Sequence, residues 1–491
     1  MKILKHTKPT YLYYDKVPIE FYIPLYYDRM NMNNLKEGMH TMKHIYLFFS
    51  FVFVLHILSV FYPSSSLSYV LGILAFFILL ISYWHASKLF KILAGGFLSI
   101  GTVLFFFADL QVVEVIPFLG ENISLLTLLA VLPWMNSVVH AGRFDRLMSK
   151  ILKGNVNHLG SLYRRSITTM MALTAFLNVS SATIARDVLA HNLKSVKERT
   201  ANQFIMMATL RGYTLALAWS PLEVLLAMSI FITGVSFSSL LPWMIGITLL
   251  MYILDSLWGN WFFKKTPYKE DVPISSPMNL RELRPKLIQL SVALISFLLL
   301  VILFGNIFDM DFIFIVTLLV FPFASVWAWS MKRWKSFWKV GFPNWKASVN
   351  NMHNFNILFI SLALFTNTLN ESPVIDWIQQ PILAVADYPL LLLISIQIFF
   401  VFMSMFGVHP VATMGILGGM SGLLMEILSP MSLAVILVVS GVATVPIGTY
   451  GLVITIISMS LKQSPYLITL YNLVYSIVFG LFGILLAYYL I

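Results

Sequence analysis

The chain has 491 residues, of which 59% are hydrophobic and only 11% charged. A soluble domain carries roughly twice that charged fraction, so soluble classes are excluded and an all-α polytopic membrane protein is expected. The net charge of +11 raises nucleic acid as a partner, and the absence of cysteine excludes disulfides, thiolate metal sites and cysteine nucleophiles.

Residues 1–43 are polar and aromatic, without the apolar core and small-residue cleavage site of a signal peptide. Met32, Met39 and Met42 are alternative starts, and the first apolar segment then acts as an uncleaved signal anchor. Apolar segments follow at 44–62, 68–85, 92–108, 123–140, 167–193, 201–232, 238–258, 287–304, 309–331, 354–371, 386–428, 431–459 and 465–491. Two of them do not read as simple spans. Segment 167–193 has Arg164 and Arg165 before it and Lys194, Lys197 and Arg199 after it, so crossing would leave one basic cluster outside. With the polar centre NVSSAT at 178–183, it reads as a re-entrant hairpin that enters and returns on the inner side. Segment 386–428 is too long for one span and too short for two with a loop. Its Gly-rich centre, FGVHPVATMGILGG at 406–419, marks a second hairpin entering from the outer side.

The charges test this arrangement. With about eleven transmembrane helices plus two hairpins, the inner segments are 1–43, 86–91, 141–166, 194–200, 259–286, 332–353 and 460–464. They contain every lysine and arginine except Arg186 and Arg211. The outer loops carry acids, among them Asp109, Glu114, Glu121, Asp311 and Glu371. The basic charge is therefore a topology signal, with the N-terminus cytoplasmic and the C-terminus extracytoplasmic, and nucleic acid drops out as a partner. MKRWKSFWK at 331–339 reads as an amphipathic belt at the inner surface.

Two stretches share one order of features. In 123–232 and 354–459, a span and an interfacial connector precede a polar-tipped hairpin and then a long span interrupted near a proline, AWSPLE at 218–223 and ATVPIGTYG at 443–451. One unit starts outside and the other inside, which predicts two inverted-topology repeats, the architecture of secondary transporters. The expected organisation is a cytoplasmic segment 1–43, N-terminal spans 44–122, repeat 1 at 123–258 with its inward hairpin 167–193, a linker 259–286, and repeat 2 at 287–491 with its outward hairpin 386–428. Irregular backbone at membrane depth persists only where it lines a cavity or is buried in protein.

This architecture is similar to the ion transporter superfamily, which includes divalent anion/sodium symporters, arsenite, citrate and Na+/H+ antiporters, and the large membrane subunit of tripartite (TRAP) transporters. In the symporter branch each tip carries Ser-Asn-Thr. Here the tips are Asn178-Val179-Ser180-Ser181-Ala182-Thr183 and Gly407-Val408-His409-Pro410-Val411-Ala412-Thr413. The first keeps those residue types in another order, and the second puts Gly and His in their place. The resemblance implies an elevator-type carrier whose moving part holds the hairpins and broken spans, in a homodimer formed through spans such as 123–140 and 354–371.

The candidate substrate-binding residues are Asn178, Ser180, Ser181, Thr183, Gly407, His409, Thr413, Thr444 and Thr449, and the candidate coupling-ion residues are Ser220, Glu223, Asn178 and Gly448. An acid inside a span is a functional-site hypothesis by default. Glu223 reads equally as the partner of Ser220 in a capping box, with Pro221 as the first helical residue. Arg186 reads either as the counter-charge to a substrate anion or, the favoured reading, as pairing locally or reaching inward, and Arg211 is expected to reach the inner interface. No P-loop, HExxH or GxSxG pattern occurs, so no enzyme and no resident cofactor are expected beyond Na+ or H+ as coupling ion. Three functional readings stand: a small-anion transporter coupled to Na+ or H+, a cation antiporter on the same scaffold, and a partner-dependent permease subunit or envelope lipid-handling protein.

Overall fold

The computed structural model describes residues 44–152, 158–266, 268, 280–308, 310–374, 377, 387–449 and 451–491. The reading of 1–43, the centre of the 259–286 linker and most of the 375–385 connector lie outside the described residues.

Apolar runs here satisfy their own backbone groups as helices, which is what a bilayer demands of a spanning chain. In chain order they are α1 (Ile45–Phe61), α2 (Ser65–His85), α3 (Lys88–Phe107), α4 (Ile123–Ala141), α5 (Phe144–Leu152), α6 (Leu159–Leu177), α7 (Val179–Asn192), α8 (Glu198–Leu217), α9 (Val224–Thr233) and α10 (Phe237–Lys264). Then come α11 (Leu280–Phe308), α12 (Phe312–Ser330), α13 (Trp334–Asn350), α14 (His353–Asn370), α15 (Pro389–Met405), α16 (Pro410–Gly418), α17 (Ser421–Ile427), α18 (Pro430–Thr444), α19 (Leu452–Leu461) and α20 (Pro465–Tyr489). Local chemistry sets several starts. Ser64, Ser236 and Ser429 accept a backbone N–H at the heads of α2, α10 and α18. Prolines open α15, α16, α18 and α20, where a missing N–H costs nothing.

Among the described residues, seven helices are long and apolar enough to cross a membrane, or eight if the bent pair α16–α17 counts as one span. This supports a multi-pass membrane protein. The sequence reading of about eleven spans is higher. The difference lies in four segments: α1 has only 17 residues, α14 has 18 but carries four asparagines, and segments 201–232 and 431–459 are each split, into α8 and α9 and into α18 and α19.

The segment around 178 folds back on itself. A single residue, Asn178, separates α6 from α7, at φ 44° and ψ −132°. The amide of Asn192, the last residue of α7, donates to the carbonyl of Leu152 at the end of α5 (2.9 Å), so α7 ends beside the chain that leads into α6. The helix begins earlier than 167 and runs through Arg164 and Arg165, because hydropathy marks where lipid contact starts and hydrogen bonding continues past it. The 386–428 segment is α15, a turn at 406–409, then α16 and α17, which meet at 73°.

α4 packs against α12 and α13, and α14 against α3 and α2. Within the spans 123–140 and 354–371, expected at a dimer interface, Leu125, Leu126, Leu128 and Met135 and the run Ile357–Ile360 are wholly buried against the protomer's own helices. Apolarity all round a helix reads the same whether the covering surface is lipid, a partner or the chain's own helices. A second group joins α6 to α8 and α10, and α18 to α20, α15 and α9.

Arg211 does not reach the interface. It is 4% exposed and held by Asp255 of α10 (2.6 Å), Asn472 Oδ1 (3.1 Å) and the Tyr471 carbonyl (2.8 Å), with Trp258 and Tyr475 facing its guanidinium. Tyr163 of α6 donates to the other Asp255 oxygen at 3.1 Å. With acceptors and rings converging from three neighbouring helices, burial replaces the snorkelling that a lone arginine adopts in lipid.

Candidate functional site

The first tip is built from α6, Asn178 and α7. Non-glycine residues seldom hold the backbone of Asn178, and its neighbours fix it there. Tyr213 of α8 donates to Asn178 Oδ1 at 2.6 Å, and Ser181 Oγ donates to the Asn178 carbonyl at 2.6 Å. Ser181 also meets Thr174 Oγ1 at 2.7 Å across the turn. Ser181 is therefore fully buried and used within the tip, whereas Ser180 and Thr183 are half-buried.

Against this tip lies the break between α8 and α9. The expected capping box is absent. α9 begins at Val224, with Glu223 as its N-cap residue, and Pro221 and Leu222 sit in a turn. Ser220 is drawn away from a capping role: its hydroxyl donates to the Ala175 carbonyl at 3.1 Å, tying the break to the tip, and accepts from Leu222 N–H at 3.3 Å. A contact 45 residues distant overrides the local rule.

Tip and break enclose a cavity of about 20 Å³ lined by Asn136, Thr174, Asn178, Ser220 and Glu223 together with apolar neighbours. That volume holds one water molecule or one bare ion. No described lining residue is basic. A carboxylate, two amides and two hydroxyls form an all-oxygen set suited to a hard cation or a proton-carrying water.

The second tip is made differently. Gly407 takes φ 83°, a backbone that favours glycine, and His409 caps α16, its Nδ1 accepting from Val411 N–H at 3.3 Å. The neutral ring then carries its proton on Nε2. Thr413 Oγ1 is buried without a hydrogen-bond partner. This tip also leans on its break. Ser404 Oγ contacts the Thr444 carbonyl (3.4 Å), and Thr449 Oγ1 donates to the Met405 carbonyl (3.2 Å). A Cβ on Gly448 would stand 2.8 Å from Ser404 Oγ, so the glycine permits that approach. Thr444 bonds back to the Gly441 carbonyl at 2.7 Å.

The two assemblies meet. α7 packs on α19, and α9 on α16. Gly441, one turn before the second break, faces Leu225 in the first turn of α9, Met414 of α16 and Phe400 of α15. Four helices of nine or more residues, α7, α9, α16 and α19, thus start from the tips and breaks in the interior of the bundle. Arg186 lies two turns down α7, paired with Asp187 at 2.6 Å as expected locally, while its buried Nε has no partner.

The sequence reading missed Asn136, Thr174, Tyr213 and Ser404. Tyr213 and Thr174 look like ordinary helix residues, and only their place opposite Asn178 and Ser181 gives them a role.

The fold is similar to that of the YdaH transporter of Alcanivorax borkumensis, with a TM-score of 0.57 and 14% identity over 82% of this chain and 97% of that one. It is also similar to MtrF of Neisseria gonorrhoeae, described as one of a class of antimetabolite efflux pumps, with a TM-score of 0.51 and 12% identity over 83% and 96% of the two chains. At this identity the likeness establishes the fold alone and leaves function to the site itself. No protein-family model matches the chain, and no curated protein sequence matches it.

Proposed function

We propose that this chain, folded like two known transporters, is a cation-coupled secondary transporter of a small solute. The observation that carries the proposal is the ion-sized cavity where Glu223, Asn178, Ser220 and Thr174 meet between the first tip and the first break. In this reading Glu223 takes up H+ or Na+, and its occupancy governs whether tip and break stay closed on each other. The solute is a small carboxylate or inorganic oxyanion bound beside the cation. The starts of α7, α9, α16 and α19 support an anion, because unpaired N–H groups and the helix dipole favour negative charge there. Thr413 and His409 supply further polar groups at the second tip. The mechanism is alternating access of the elevator type, on inverted repeats as in the ion transporter superfamily, and the chain acts as a carrier with no chemical step of its own.

The test is electrical. In liposomes, di- and tricarboxylates, sulfate and phosphate are added with Na+ or choline at two pH values. A solute-dependent current that requires Na+ or acid is expected, and Glu223→Gln lowers it more than tenfold while the protein remains folded. A second reading, cation antiport, is favoured by the purely acidic and neutral lining of the cavity. It predicts a response to Na+ or pH alone, with no current on adding any anion. Full solute-driven current in Glu223→Gln removes Glu223 from the coupling under either reading.

A further inference from the structure

Away from the tips, at the inner ends of α5, α11 and α12, basic side chains crowd together. Lys286 of α11 donates to the Gly142 carbonyl (3.3 Å) and stands 5.9 Å from the centre of the Phe144 ring. Arg143 directly follows Gly142, and a Cβ on Gly142 would stand 3.0 Å from Met331 Sδ, two residues before Arg333, so both arginines and Asp145 lie close to Lys286, with Lys150 further along α5. Arg143, Lys150 and Arg333 are exposed. Among the residues whose side chains are described, none of these four cations forms an ion pair. Asp145 Oδ1 is itself buried without a partner. Among the residues whose side chains are described, four positive groups thus gather at this locus with one acid, Asp145.

The surroundings say what kind of anion fits. Arg333 caps α13 and follows the exposed face of α12 on which Val326 and Trp329 lie, 66% and 72% exposed. Trp334 beside it is 43% exposed. A charged locus bordered by exposed apolar and indole surface matches a lipid, with a phosphate at the interface and acyl chains above it; a free anion gains nothing from Val326 and Trp329. General inner-surface charge bias accounts for basic residues on these connectors, but not for their convergence from three separate stretches of chain on one point.

We propose that Lys286, Arg143, Lys150 and Arg333 form a binding site for the headgroup of an anionic phospholipid, whose chains lie along Val326 and Trp329. Because α5 also packs on α6 and α7, the bound lipid links the first hairpin to α11 and α13.

The test measures lipid binding to the full chain in detergent, by native mass spectrometry and by unfolding temperature, with dioleoylphosphatidylglycerol, dioleoylphosphatidylcholine and inorganic phosphate as probes. Phosphatidylglycerol is expected to bind and raise the unfolding temperature, and the other two are not. Lys286→Gln/Arg333→Gln weakens phosphatidylglycerol binding about 25-fold, near fivefold per charge removed. Lys335→Gln/Lys339→Gln, at exposed lysines further along α13, changes it less than twofold. If the Lys286 variant does not fold, Lys150→Gln at its exposed position is expected to lose about fivefold. Equal weakening in the α13 control, unchanged binding in the cluster variants, or an equal response to inorganic phosphate each overturns the lipid site.

Discussion

At the scale of single residues, two arrangements of charge stand in contrast among the described residues, a buried pair that neutralise each other and an acid with no basic partner. Arg211 and Asp255 are both 4% exposed and satisfy each other along with Tyr163, Asn472 and the Tyr471 carbonyl. Removing one member leaves the other buried and uncompensated. Asp255→Asn is therefore expected to destabilise the protein by ~3–5 kcal/mol, and Arg211→Met combined with Asp255→Leu to restore much of the loss. Thermal unfolding in detergent reads both; an Asp255→Asn protein as stable as the parent would show that the pair is dispensable. Glu223 differs, since it faces a water-sized space with amides and hydroxyls and no described basic partner. That contrast is why Glu223, and not Asp255, is given the coupling role. Composition alone ranks the two acids alike, as each is a carboxylate in an apolar run.

At the scale of elements, what distinguishes the molecule is where its helices stop. Both tips need backbone that ordinary residues avoid, and they obtain it in different ways. Gly407 takes φ 83° by lacking a Cβ, whereas Asn178 takes φ 44° because Tyr213 and Ser181 hold it. Gly407→Ala is expected to cost about 1–2 kcal/mol and to lower uptake. Gly422→Ala in α17, where an added Cβ meets nothing within 4 Å, is neutral or slightly stabilising. Unfolding temperature and uptake measured on the two variants separate backbone strain from a general effect of the added methyl. The tips and breaks were legible in the sequence because Asn, Ser, Gly and Pro clusters interrupt apolar runs at 178–183, 218–223, 406–413 and 443–451. The start of α9 was not legible. Ser-Pro-x-Glu fits a helix N-terminus locally, yet the Ser220 hydroxyl bonds Ala175 and the helix waits until Val224.

At the scale of the whole molecule, the elevator reading requires the tips and broken spans to slide against the helices that pack around them, such as α14. Their contact is close: a Cβ on Gly415 of α16 would reach Leu362 of α14 at 2.2–3.1 Å. The chain contains no cysteine, so an introduced pair is unambiguous. Leu362→Cys/Gly415→Cys is expected to crosslink on oxidation and to stop uptake, which returns on adding a reductant. Undiminished uptake with the crosslink complete would mean that α16 does not move past α14 during transport.

Membrane residence, an all-helical architecture, the gathering of basic residues in the connectors between apolar segments and the positions of the four interruptions follow from the sequence by itself. Each depends on composition or periodicity over a short window, and a bilayer leaves a chain few ways to satisfy its backbone. Tertiary structure alone decided which residues of 123–140 and 354–371 the protomer itself buries, that Arg211 is neutralised by Asp255, that Tyr213 braces Asn178, and that Glu223 opens onto an ion-sized space. Each of these depends on which helix faces which, and residues 44, 45 or 261 positions apart carry no mark in a local stretch of sequence that they will meet.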